Sequence, residues 1–137
     1  MREILFRGKA INRNENYSYR TDYKNGDWVY GLLADVNDYA GFSKMTNTDG
    51  VTGIEVDTNT VGQYTGSKDM NDTKIFEGDI VYSARDAEPA VITWDDFTVR
   101  FIIEFDGIIT DYDNYYASDL EVIGNIHDNP ELLEVQG

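Results

Sequence analysis

Apolar and polar residues alternate along most of the chain, and this pattern predicts β-strands. The segment FIIEF-DG-IITDY, residues 101–112, shows it most clearly. Alternation places one set of apolar residues on a single strand face: Val99, Phe101, Ile103 and Phe105. Asp106-Gly107 is the dipeptide that a two-residue type I′ turn requires, because both central residues need a positive φ. We therefore predict a β-hairpin here.

Similar short runs, rich in β-branched and aromatic residues, recur between turn signals. Asn25-Gly26 and Asp49-Gly50 are turn dipeptides of the same kind. The further predicted strands lie at Ile4–Arg7, Trp28–Ala34, around Ile54 and Val56, at Ile80–Ala84, Val91–Trp94 and Leu120–Ile126. Gly124 predicts a bulge or close approach in the last of these. Four large aromatic residues are predicted to lie in the core: Trp28, Tyr30, Trp94 and Phe97.

One helix start is expected, near the end of the chain. In HDNPELLEV, Asn129 can cap a helix, Pro130 suits its first position, and Glu131 favours the positive end of its dipole. This helix could be a single turn. We predict an all-β fold with a soft boundary near residue 60, giving an N-terminal β-rich portion, 1–60, and a second portion, 61–137.

The chain is strongly acidic, with a formal net charge of −15 over 137 residues. Residues 1–30 carry six basic and four acidic side chains, whereas Lys and Arg are absent from Phe101 onwards. Such a surface repels phosphate backbones, so we expect no direct binding to DNA or RNA. A basic protein partner, or mimicry of nucleic acid, remains open.

The sequence has no cysteine, which excludes a disulfide framework and a thiolate metal site. It has no apolar run of the length that a transmembrane helix needs, and MREILFRGKA lacks the apolar core of a signal peptide. We therefore expect a soluble protein in the cytoplasm of the cell that makes it, without a membrane partner.

Four blocks of the sequence, in this order, resemble the YopX family of phage and prophage proteins. They are MREILFRGK, WVYG, VGQYTGSKDMNDTKIFEGDIV and VIGNIHDNPELL. The third is the most specific because of its length. Family-motif residues, which we interpret as structural, are Gly62, Gln63, Tyr64, Thr65, Gly66, Asp69, Asn71, Glu77, Gly78, Asp79, Gly124, Asn125, Asn129 and Pro130.

The resemblance implies an SH3-like small barrel over residues 61–137, preceded by the β-rich portion and ended by the short helix. It also implies a gene carried by temperate phages or integrated elements in a bacterial host. The family offers no catalytic activity, cofactor or catalytic residue to carry over. One departure is visible: the loop after K-D-x-N often holds Gly, and here it holds Asp72-Thr73.

The acidic stretch DMND…EGD raises the question of a metal site. A calcium loop of the EF-hand type that started at Asp69 would need Gly at position 74 and Glu at position 80, which are Lys74 and Ile80. A turn explains the stretch better, since Asp and Asn side chains bond their own backbone and Gly78 allows a sharp bend. We therefore predict no metal site, and structural carboxylates.

Other catalytic patterns are weak. His127 is the single histidine, and none of the serines stands in a G-x-S-x-G context that would suit a hydrolase triad. Paired carboxylates such as Asp95-Asp96 are expected by chance in a chain with 26 acidic residues. A phosphate-binding glycine loop has no match. We predict that the protein is not an enzyme and uses no cofactor.

The tyrosines Tyr112, Tyr115 and Tyr116 form a candidate interaction surface, because tyrosine is favoured at protein interfaces. Packing of one or two of them in the core is an equal alternative. The leading hypothesis is a non-enzymatic interaction protein that binds a host or phage protein, with self-association into a homo-oligomer also open. The rivals are an acidic nucleic-acid mimic and an enzyme with an unrecognised carboxylate site.

Overall fold

A computed structural model describes residues 3–12, 23–37, 39–84, 86–105, 108–112 and 117–134. Two compact units divide the chain, Met1–Gln63 and Tyr64–Gly137. The described elements are almost entirely strands that pair in the antiparallel sense, which confirms the all-β prediction. The units are described separately below.

The first unit contains four antiparallel strands in the spatial order β4-β3-β2-β1. A 3-10 turn, Thr58–Thr60, follows β4 and leads to β5, Gly62–Lys68. Its first residues, Gly62 and Gln63, pair with Arg7 and Phe6 of β1. The strands are β1 Phe6–Lys9, β2 Trp28–Asp35, β3 Phe42–Asn47 and β4 Ile54–Asp57.

The sheet of the first unit curls until its outer strands meet. Ala10, directly after β1, forms an antiparallel bridge with Val56 of β4, and the N–H of Ile11 donates to the carbonyl of Glu55 at 2.9 Å. Gly8 permits this closure, because a Cβ at that position would lie only 3.0 Å from the Cβ of Val56. The curled sheet encloses a core of Ala10, Val29, Met45, Ile54 and Val56.

The second unit contains the remainder of β5 and six further strands. Tyr64 and Lys68 of β5 pair with β6, and the other five strands form a sheet in the order β10-β9-β8-β7-β11. Their bounds are β5 Gly62–Lys68, β6 Lys74–Phe76, β7 Asp79–Tyr82, β8 Pro89–Asp95, β9 Arg100–Phe105, β10 Ile108–Asp111 and β11 Glu121–Asn125.

A separate core fills the second unit. Its buried members are Ile75, Val81, Ala90, Ile92, Ile103, Ala117 and Leu120. They come from β6, β7, β8 and β9 and from the segment that precedes β11, so every strand between β6 and β9 contributes. Burial of apolar surface at about 25 cal/mol per Å² makes such a core the main source of stability.

Most of the predicted strands are confirmed with shifts of one or two residues at their ends. The hairpin of β9 and β10 is present, with Ile108 paired to Phe105, although its Asp106-Gly107 turn lies outside the described residues. The bulge is confirmed, because the register of β11 against β7 shifts between Val122 and Gly124.

Two predictions need correction in the second sheet and at the chain end. Among the described residues no ladder joins β10 to β11, so the sheet is open and a closed SH3-like barrel is not seen. The expected C-terminal helix is present only as a 3-10 turn, Pro130–Leu133, with Pro130 at its start. Asn129 precedes this turn but makes no side-chain cap bond to it.

The aromatic core prediction is wrong at three positions. Tyr30 and Trp94 are each about two-fifths exposed, and Phe97 is 95% exposed. Tyr30 alternates with buried Val29 and therefore points away from the core of its sheet. Phe97 lies in the turn between β8 and β9, where no sheet face can cover it.

Val99 was expected in strand β9, but it lies in the same turn with a φ of 56°. This left-handed conformation is rare for a β-branched residue, because its Cβ approaches the following carbonyl. The side chain is 69% exposed, so little packing compensates for the strain. The turn thus stores conformational energy at an exposed position.

Replacing Val99 with Asn is expected to raise the free energy of unfolding by up to about 1 kcal/mol, because Asn tolerates the left-handed region. Chemical denaturation of the two proteins measures the difference. Val36→Asn is the matched control, since Val36 is also exposed but does not have a positive φ. A loss of stability in the Val99 variant would show that this valine is held by contacts rather than strained.

Candidate functional site

Asp69 lies at the centre of the acidic stretch and is almost fully buried. Its Oδ1 accepts hydrogen bonds from the N–H groups of Asn71, at 2.8 Å, and Thr73, at 2.9 Å. Its Oδ2 accepts from the N–H of Val122 in β11 at 2.8 Å. One carboxylate therefore closes the loop between β5 and β6 and ties that loop to a strand 53 residues further along the chain.

The loop also covers an edge of β11 with its own backbone. The N–H of Met70 donates to the carbonyl of Leu120 at 2.9 Å, next to the bond from Val122 to Asp69. An unpaired strand edge is prone to pairing with other chains. The loop occupies these two edge groups, and so it acts in place of a neighbouring strand.

These bonds show what the carboxylate of Asp69 does in the fold. Both of its oxygens accept backbone N–H groups, which is the turn role expected for Asp in such a cluster. Within the described part of the chain, no group of three His, Cys, Asp or Glu side chains is arranged to hold a metal ion. Asp72 lies in the same loop, but its carboxylate is exposed and has the ammonium of Lys68 at 3.5 Å.

The second acidic group, Glu77-Gly78-Asp79, forms the tight turn between β6 and β7. Buried Asp79 accepts the N–H of Phe76 at 2.7 Å through its Oδ2. Gly78 has a φ of 89° and bonds on both sides: its N–H donates to Ile92, and its carbonyl accepts from Ile126. The turn therefore connects β8 with the segment after β11.

The closing motif IGNIHDNP forms a local network after β11. Asn125 Oδ1 accepts from the N–H groups of His127, at 3.0 Å, and Asp128, at 2.9 Å. The side chain of Asn129 folds back so that its Oδ1 accepts the N–H of Asn125. Gly124 makes room for it, because a Cβ there would lie 2.6 Å from that oxygen.

The β5 motif residues follow the same principle. Gly62 and Gln63 pair with β1, Tyr64 pairs with Phe76 of β6, and Gly66 has a φ of 91°. Thr65 Oγ1 donates to the carbonyl of Ile75 at 2.9 Å and lies 3.0 Å from the hydroxyl of Tyr112. These residues shape the strand and its pairing.

Of the three tyrosines proposed for an interaction surface, only Tyr112 lies among the described residues. It is half-buried, packs against the core of the second unit, and has its hydroxyl beside Thr65. Burial raises its pKa above the ordinary tyrosine value. Tyr115 and Tyr116 lie outside the described residues, so a role for this group at an interface stays a prediction.

Sequence patterns missed the side chains that are most exposed. Tyr39, in the connection between β2 and β3, and Phe97, in the turn between β8 and β9, are both almost completely exposed. An aromatic residue beside a strand is expected to be buried. Only the observed turn geometry shows that these two are exposed instead. The acidic residues next to Phe97 were the one available signal, since Asp95-Asp96 followed by an aromatic residue also suits a turn.

A cation–aromatic group on β1 and β2 was also missed. The guanidinium of Arg7 lies 4.6 Å from the ring centroid of Trp28, and the ammonium of Lys9 lies 5.5 Å from it. Lys9 is paired with Trp28 across the two strands, and Arg7 with Tyr30, which places these side chains on one face. Half-buried Trp28 therefore stabilises two cations in an acidic chain.

Comparison with known proteins identifies the family of this chain. The geometry defines an all-β protein with two separate cores whose acidic motif residues brace turns and strand edges. The family model described as YopX protein matches residues 8–134, and the chain therefore belongs to the YopX family. A search of curated proteins found no match.

A solved structure, the crystal structure of protein EF1440 from Enterococcus faecalis, is similar to this chain. The two are 26% identical, with a TM-score of 0.50, and the alignment covers 96% of this chain and 99% of that one. In the described residues the structure contains no helix long and apolar enough to cross a membrane.

Asp69→Asn is expected to lower the free energy of unfolding by about 2–3 kcal/mol, because its NH₂ group would face a buried N–H donor. Denaturant titration measures the change. The control is Asp72→Asn, which loses only an exposed ion pair and should change stability by less than about 0.5 kcal/mol. Equal effects of the two variants would contradict the bracing role of Asp69.

Tyr112→Phe is expected to reduce the loss of stability at alkaline pH. The folded-state pKa of Tyr112 is raised, so the unfolded chain loses this proton first as the pH rises above about 10, and its contribution to stability declines there. The Tyr112→Phe variant lacks this contribution to the slope of the unfolding free energy against pH. Unfolding curves between neutral pH and strongly alkaline pH measure it, and identical slopes would contradict the burial of the hydroxyl.

Proposed function

We propose that this YopX-family protein is a non-enzymatic protein-interaction module of phage or prophage origin that acts in the cytoplasm of its bacterial host. The observation that carries the proposal is the exposure of large apolar side chains in both units of a highly acidic chain. Tyr39 and Phe97 are the extreme cases, at 103% and 95% exposure. Large exposed aromatic side chains are groups that a protein partner can bury, so their exposure supports an interaction role.

The hydrogen bonds of the motif carboxylates support a binding role over a catalytic one. Asp69 and Asp79 direct their oxygens to backbone N–H groups inside the second unit. A general acid or base has to reach a substrate with the same atoms. The motif residues therefore support a scaffold, and the partner would be a host or phage protein that meets the scaffold's surface.

We further propose that the second unit is related to SH3-like small barrels. Strands β7 to β10 form a meander, and β11 returns to pair with β7, the first strand of that meander. This strand order is the one that such barrels use. The Asp69 loop on the edge of β11 would then take the place of part of the barrel wall.

The acidic nucleic-acid mimic is the second candidate, and the net charge of −15 is the observation that favours it. A mimic would hold its partner mainly through charge, and its binding would weaken strongly as salt screens the carboxylates. An interface built on apolar side chains would tolerate salt. Direct binding of nucleic acid by the chain itself is not part of either proposal.

The test is affinity capture with the full chain as bait, from a lysate of the cell that carries the gene, at low and high salt. We expect the bait to retain a specific partner protein at high salt. Loss of every partner at high salt, with a nucleic-acid-binding protein recovered at low salt, would favour mimicry instead. Recovery of the bait alone, under all conditions, would contradict the proposal of a partner protein.

A further inference from the structure

The turn between β8 and β9 presents an unusual apolar group to solvent. We define the β8–β9 tip as residues Trp94–Phe101. Within it, Phe97 is 95% exposed and Val99 is 69% exposed, while Trp94, itself partly exposed, packs its ring against Phe101 at a centroid distance of 5.0 Å in an edge-on arrangement. The tip thus carries a projecting ring above an aromatic base.

Hydrogen bonds to Asp95 hold the backbone of this tip in one conformation. Its Oδ1 accepts the N–H of Phe97 at 3.1 Å, and its Oδ2 accepts the hydroxyl of Thr98 at 2.5 Å. Its carbonyl accepts the N–H of Val99 at 2.8 Å. The same hydroxyl and N–H lower the pKa of Asp95, so the carboxylate stays charged at neutral pH.

The residues of the tip are not those that would make its turn most stable. Position 99 has a φ of 56°, which Gly or Asn adopts without strain, yet it holds Val. Position 97 is fully exposed, yet it holds Phe. A single exposed apolar residue needs no explanation, but a strained backbone that carries two of them conflicts with local preference, and such conflicts concentrate at functional sites.

The charges around the tip indicate what would cover it. Asp96 is exposed next to Phe97, and the lowered pKa keeps Asp95 ionised. Arg100 is the single cation of the tip, and its Nε donates to Thr98 within the turn at 3.1 Å. A complementary surface would therefore be apolar where it meets the ring and basic around it.

We propose that the β8–β9 tip is a docking element, and that it inserts Phe97 into an apolar pocket bordered by Lys and Arg side chains on a partner protein. The inference rests on the proposed interaction function and assigns it a surface and a partner chemistry. Because the Asp95 bonds fix the turn before binding, little conformational entropy is lost when the pocket closes on the ring.

Tyr39 is the natural comparison, because it is equally exposed but no β-branched residue beside it has a positive φ. It lies in the connection between β2 and β3 in the other unit, where the positive φ that the structure describes belongs to Gly41, a residue that adopts it without strain. Hydrogen bonds also brace this connection, from the N–H of Ala40 to Asn37 Oδ1 at 2.9 Å and from the N–H of Asn37 to Ser43 Oγ at 3.3 Å. Tyr39 therefore serves as the matched exposed aromatic control.

The experiment begins with the partner that the wild-type bait retains, which is identified, purified and titrated against three full-length proteins. These are the wild type, Phe97→Ala and Tyr39→Ala. We expect Phe97→Ala to raise the Kd at least about tenfold, as removal of an interface hot spot does. Tyr39→Ala should change the Kd less than about twofold. The wild-type Kd should also rise severalfold with salt, because the basic border is screened.

Phe97 is exposed in the free protein, so its replacement should leave the unfolding curve unchanged, and this is verified for both variants. If the partner binds Phe97→Ala as tightly as the wild type, the tip inference is wrong while the proposed interaction function stands. If the wild type has no partner, both fail. If the only partner is a second copy of this chain, or if salt leaves the Kd unchanged, the assigned partner chemistry is overturned.

Val99→Asn separates the role of the strained turn from that of the ring. It keeps Phe97 but removes an apolar contact and relaxes the backbone, so we expect a more stable protein with a severalfold weaker affinity. Such a combination is typical of residues that are retained for binding at the expense of stability. A variant that is stabilised and binds with the wild-type Kd would show that the strain has no part in docking.

Discussion

The second unit depends on one buried carboxylate. Asp69 accepts three backbone N–H groups, two from its own loop and one from β11, and so joins segments that are 53 residues apart. A buried charge is tolerated only when hydrogen bonds replace its hydration, and a carboxylate accepts more of them than any neutral side chain. The loop that it shapes covers β11, an edge that would otherwise expose backbone groups.

In two other motif segments a polar side chain bonds the backbone, and a glycine makes the required conformation possible. Asp79 closes the turn before β7, where Gly78 supplies the positive φ. Asn129 folds back onto Asn125, and Gly124 supplies the space. In each case the side chain satisfies an N–H that the irregular backbone leaves unpaired. The described motif residues therefore brace turns and connect strands of the second unit.

The β8–β9 tip contrasts with these braced turns. Asp95 braces it as Asp69 braces its loop, but the bracing holds Val99 at a positive φ and leaves Phe97 in solvent. Local stability is thus given up at a β-branched residue, whereas most other positive φ angles among the described residues fall on glycines. The contrast is the reason for placing the interaction surface at this tip.

The sequence by itself determined the β class, the strand positions, the bulge at Gly124 and the family, because alternation and turn dipeptides are local signals. It also indicated that the carboxylates belong to turns. Tertiary structure alone decided that Asp69 reaches Val122, that the second sheet stays open, and that Phe97 is exposed. These outcomes depend on which distant segments meet and on which strand face is covered, and hydrophobic pattern along the chain does not contain that information.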